Sequence, residues 1–192
     1  MAVESLLVLT EEHNLKTHTD LGRVFTNWAR GKLHDLEGGA VGLKEALASY
    51  LALGNRSGGP SFHGLLADLE AMRPDLDSAL AAIDAGLALA EETGEHYTDP
   101  QLHRLRGDFL MMRSPADFVR AEEAFQTAIA VAKGQGARGY VLMASYALAR
   151  LRQARGRPDA AKATLAPALE GFSPTPEMPE IAEAQGLLRQ LA

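Results

Sequence analysis

Catalysis or metal binding near neutral pH needs a few residue types held close together, and this chain supplies them scattered. Its six histidines are His13, His18, His34, His63, His96 and His103. A zinc site wants two ligands on one face with an acid beside them, and no pair here has that spacing. His96 and His103 straddle the turn at Asp99-Pro100, but nothing joins them into a ligand set. Each histidine reads as a surface or partly buried structural residue. The acidic pairs Glu11-Glu12, Glu91-Glu92 and Glu122-Glu123 fall on helix faces as solvated charges, away from the sequestered setting that general acid–base work requires. The glycine-rich run GNRSGGPS, residues 54–61, lacks the Lys-Ser/Thr ending and the preceding strand of a phosphate loop, so it reads as a flexible linker. A serine nucleophile on a strand-to-helix elbow is excluded because no strand pattern exists. With no cysteine, thiolate catalysis, disulfides and Cys-ligated zinc are excluded too. No catalytic residue, metal set or cofactor is assigned, and the chain is expected not to be an enzyme.

The elements that must position any site are helices. Apolar residues make up 46% of the 192, only 6% are aromatic, and alanine and leucine dominate. That composition suits closely packed helices and disfavours sheets, which favour β-branched and aromatic residues. A net charge of −6 argues against nucleic acid or an anionic membrane as the main partner. The opening MAVESLLVLTEEHNL carries no basic leader, and no run of about 18 apolar residues exists to span a membrane. With the absent cysteine, this points to the cytoplasm.

A repeat organises the helices. Gly39, Ala79, Ala121 and Ala161 stand 40 to 42 residues apart. Four residues after each come Leu43, Ile83, Phe125 and Leu165. Seven after come Ala46, Gly86, Ala128 and Ala168, and eight after Leu47, Leu87, Ile129 and Leu169. Fifteen after, the first three copies carry Gly54, Gly94 and Gly136. Small, large and small residues at helical spacing let one helix nest against another, and a repeat of this length reads as stacked helical hairpins. Hairpins are expected at about 17–54, 60–94, 99–136 and 137–172. An orphan helix at 2–13 precedes them and a capping helix at 177–191 follows. Local signals place the boundaries: a Thr17/Asp20 capping pair, Gly31 as a stop, Asp99-Pro100 as a start, and Ser114-Pro115-Ala116-Asp117 as a capping box. The unpaired first helix suggests a fragment of a longer protein, or a face covered by a second copy.

The small–large–small pattern resembles the second helix of the tetratricopeptide repeat, and Gly107 in LHRLRGDFL, with Ala67 one hairpin earlier, matches the small residue of that repeat's first helix. The copies exceed the usual length of about 34 residues. The strings GEHYTDPQLHRLRGDFLM, SPADFVRAEEAFQTAIAVAKGQGAR and ALARLRQARGRPDAAKATLAPAL resemble the C-terminal repeat region of multidomain bacterial signal-transduction regulators that join an ATPase to a cyclase or DNA-binding module. The resemblance implies an all-α, right-handed superhelical solenoid of about nine helices, with first helices lining a concave groove. It places Val24 and Trp28, Gly64 and Asp68, Arg104 and Asp108, and Tyr146 and Arg150 on that groove. Trp28 can instead fill the seam between hairpins, and the arginines can pair with Asp108 and Asp68 instead of a ligand. The first pair is apolar, so the Lys/Asn pattern that some relatives use to clamp a peptide carboxylate is absent. The expected function is a non-enzymatic protein-interaction or regulatory scaffold module of a bacterial regulator, holding a protein or peptide partner. The alternative is a sensor that closes around a small molecule. Self-association through the first helix is a third expectation.

Overall fold

The computed structural model describes residues 8–10, 12–74, 76–173, 175 and 178–191. Every regular element among them is helical. The α-helices are α1 (Lys16–Leu33), α2 (Leu36–Ala52), α3 (Gly59–Glu70), α4 (Leu76–Thr93), α5 (Asp99–Arg113), α6 (Phe118–Gly134), α7 (Arg138–Ala154), α8 (Pro158–Leu169) and α9 (Pro179–Gln190). Residues 8–10 are also helical, which makes ten α-helical segments among the described residues, the number that four hairpins and two flanking helices require. Most of the expected helix 2–13, residues 2–7 and 11, lies outside the described residues, as does 177 of the expected capping helix. No described helix is long and apolar enough to cross a membrane.

Packing follows the repeat frame. Gly39, Ala79, Ala121 and Ala161 are buried, as are Leu43, Ile83, Phe125 and Leu165 four residues on. Ala46, Gly86 and Ala128 are buried at the next position, while Ala168 is half-buried. Gly54, Gly94 and Gly136 have φ of 83°, 75° and 68°, the left-handed conformation that ends a helix and that only glycine adopts without strain.

The chain divides into two compact units, Met1–Thr98 and Asp99–Ala192, at the point where the third expected hairpin begins. In the first, α1 packs on α2, α3 on α4, and α3 also on α1 and α2. A Cβ on Gly39 would lie 2.4 Å from the Gly31 Cα, so α1 and α2 cross backbone to backbone. Gly31 therefore sits inside α1 instead of ending it. Its helix cost of about 1 kcal/mol is offset by that close approach. Thr17 and Asp20 do not cap α1 either. The Thr17 hydroxyl accepts from Asn55 Nδ2 at 3.2 Å, and the buried Asp20 carboxylate accepts from Ser49 Oγ at 2.6 Å. Residues 54–60 are tied down: Tyr50 Oη donates to the Ser57 carbonyl at 2.9 Å, and the Gly58 amide donates to Glu95 Oε2 at 2.8 Å. That segment is a bonded corner, not a flexible linker.

In the second unit, α5 packs on α6, α6 on α7, and α7 on α8, while α9 touches α7 and α8. A Cβ on Gly107 would lie 2.4 Å from Phe125 Cε1, so the Phe125 ring occupies the space a side chain would take. Leu142, Ala149, Ala161, Leu165 and Leu169 form a core that α9 covers with Ile181, Ala184 and Leu187. Two start signals shift. Asp99 lies within α5 and is buried, and Ser114 Oγ accepts from the Ala116 amide to cap a short 3-10 turn, Pro115–Asp117, before α6 begins. Met112, in the last turn of α5, is 59% exposed.

Candidate binding surfaces on the first helices

The expected groove residues gather into one cluster in each unit. In the first unit, Trp28 and Lys32 lie one helical turn apart on α1 and converge on Asp68 of α3. The indole Nε1 donates to Asp68 Oδ2 at 3.2 Å, and Lys32 Nζ lies 3.0 Å from the same oxygen. The indole is half-buried, so its polar edge is satisfied while part of the ring stays open. Gly64 is half-buried on α3. Val24, expected on the groove, is instead 0% exposed and belongs to the core, because it lies on the face of α1 that packs inward.

In the second unit, Arg104 and Asp108 pair along α5 at 2.5 Å, and Arg104 Nε also donates to Gln101 Oε1 at 3.1 Å. On α7 the Arg150 guanidinium lies 5.7 Å from the centre of the Tyr146 ring. Burial raises the Asp108 carboxyl above the ordinary range, against the opposing pull of the Arg104 and Arg150 charges. Burial also raises the Tyr146 phenol, helped by the charge of Glu183 and its hydrogen bond with the phenol, and opposed by Arg150. The two arginines therefore differ. Arg104 is committed to Asp108 and Gln101, whereas Arg150 is exposed and stacked on a ring. A guanidinium so placed can take a carboxylate through two parallel N–H bonds. Asp68 is held by Trp28 and Lys32, not by an arginine.

Sequence reasoning missed Lys32 and Glu183. Lys32 stands four residues after Trp28, so helical spacing alone could have found it. Glu183 lies on α9, outside the repeat frame, and only tertiary packing brings it to Tyr146. Among the described residues, no group of three or more His, Asp or Glu side chains is arranged to hold a metal ion. No known family's sequence model matches the chain, and no curated protein matches it.

Proposed function

We propose that this chain is a tetratricopeptide-like array of helical hairpins, wound as a right-handed superhelix, that serves as a non-enzymatic protein-interaction or regulatory scaffold in the bacterial cytoplasm, as part of a larger signalling regulator. The carrying observation is that buried small residues recur in register on the second helices, while half-buried clusters of aromatic and charged side chains recur on the first helices. Packing is spent on one set of faces, which leaves the other set free for recognition. The partner is an acidic peptide segment, since Arg150, although its charge acts on Asp108, is exposed and makes no ion pair among the described residues.

A displayed peptide library selected on the intact protein tests this. Acidic peptides should be enriched, and Arg150→Ala should weaken the best of them by about tenfold, the loss of one charge-assisted hydrogen bond of roughly 1.4 kcal/mol. Enrichment of peptides whose affinity is unchanged by Trp28→Ala, Arg104→Ala and Arg150→Ala would overturn the assignment of these surfaces. Failure to enrich any peptide would overturn the scaffold reading.

A further inference from the structure

The other side of α7 carries a second feature. A cavity of about 420 Å³ opens where α6, α7 and α8 meet. From α7 it takes Val141, Ser145, Leu148 and Arg152, a stripe at helical spacing. At 100° per residue that stripe centres about 150° away from Tyr146 and Arg150. It is therefore a separate site, and it stands whether or not the first-helix surfaces bind a peptide. The volume lies within the usual range for small-molecule sites, about 300–1,000 Å³.

The chemistry of the walls is lopsided. Ile129 of α6, Val141 and Leu148 of α7, and Pro167 of α8 make them largely apolar. The ionic groups that line the cavity are both cations, Lys133 and Arg152, in a chain whose net charge is −6. Arg152 is occupied: it bonds Glu122 at 2.8 Å and donates to Thr164 Oγ1. Lys133, in the last turn of α6, is exposed and makes no ion pair among the described residues. Ser145 is only 2% exposed, lines the same cavity, and has no hydrogen-bond partner for its hydroxyl among the described residues. A ligand oxygen in the cavity would give this hydroxyl a direct partner. Thr164, on the facing helix, returns its own hydroxyl to the Ala160 carbonyl at 2.8 Å, which leaves Ser145 and the exposed Gln126 as the polar uncharged side chains of the cavity without a bond among the described residues.

We propose that this cavity binds a small aliphatic carboxylate, with the Lys133 ammonium and the Ser145 hydroxyl taking the carboxylate and the apolar walls taking the chain. A single available cation beside a mostly apolar volume matches one negative charge on an apolar body. It does not match a phosphate, which draws on several cations or backbone amides.

Titration calorimetry of the full chain with sodium octanoate tests the site, with octanamide and octylammonium as the neutral and cationic counterparts. Octanoate should bind one to one and at least tenfold more tightly than either counterpart. Lys133→Glu, an exposed change that leaves the core alone, should weaken octanoate at least tenfold and octanamide less than twofold. Ser145→Ala should weaken octanoate severalfold, while Arg150→Ala should leave it unchanged, which separates this site from the peptide surface. No heat up to roughly 10 mM octanoate, equal affinity for octanamide, or an unchanged affinity in Lys133→Glu would each overturn the assignment.

Discussion

The missing side chain of Gly107 decides how closely α5 and α6 approach. Alanine there would gain about 1 kcal/mol of helix propensity, and its Cβ would meet the Phe125 ring at 2.4 Å. The ring is 2% exposed and has no room to turn aside, so overpacking wins. Gly107→Ala should lower stability by about 1–3 kcal/mol in urea unfolding, and a second change, Phe125→Leu, should recover part of the loss by clearing the ring. A stabilised Gly107→Ala protein would show that the helices can separate freely. Gly39→Ala should cost more, because the obstacle at 2.4 Å is the Gly31 backbone, which no rotamer change moves. Gly39 and Phe125 were legible in sequence from the repeat spacing, whereas Gly107 came from the resemblance and Gly31 read as a helix stop. Val24 was not, since its neighbours Leu21, Phe25 and Trp28 form one apolar stripe, and only packing sorts Val24, fully buried, from Phe25, 47% exposed and edge-on to Phe62 at 5.8 Å.

Between elements, much of the polar fastening runs through Glu122. Its carboxylate, 16% exposed, receives Arg152 from α7 at 2.8 Å and Arg157, just ahead of α8, at 2.6 Å. Burial acts to raise this carboxyl, but the hydrogen bonds and charges of Arg157 and Arg152 outweigh it and hold it below the ordinary glutamate value. A depressed folded-state pKa means that stability is present above the unfolded value near 4.5 and is lost as pH falls through the folded value. Glu122→Gln should therefore cost about 1–2 kcal/mol at neutral pH, between the worth of a surface pair and that of a buried one. The gap should close at an acid pH below the folded-state value, where the wild-type carboxyl is also protonated. Urea midpoints at both pH values measure this, and a gap that persists in acid would assign the loss to shape, not charge. Glu122 drew only a bland reading in sequence, as half of a solvated acidic pair, because its partners stand 30 and 35 residues away. The helix boundaries share that limit. Thr17, Asp20 and Gly31 carry strong local signals, and each is claimed instead by a residue from another helix or corner: Asn55, Ser49 and Leu69. Helix content and most helix centres needed no such information, since apolar spacing, helix-opening prolines and closing glycines are all local.

At the scale of the whole molecule, two compact units predict that each half melts according to its own core. The chain carries one convenient asymmetry: its single tryptophan, Trp28, lies in the first unit, held at Asp68, whereas far-ultraviolet dichroism reports helices of both. Phe125→Ala empties a fully packed position in the second unit and should cost about 3–5 kcal/mol there. In arrays whose elements contact only near neighbours, such a loss stays largely local instead of lowering one global transition. The dichroism curve of Phe125→Ala should therefore split or broaden, with part of the helix signal lost at lower urea, while the Trp28 fluorescence midpoint moves much less. Unfolding in which both signals shift together by the full amount would mean that the chain behaves as one cooperative unit. The hairpin-by-hairpin account of its stability would then fail, along with the argument that separate units can each present their own binding surface.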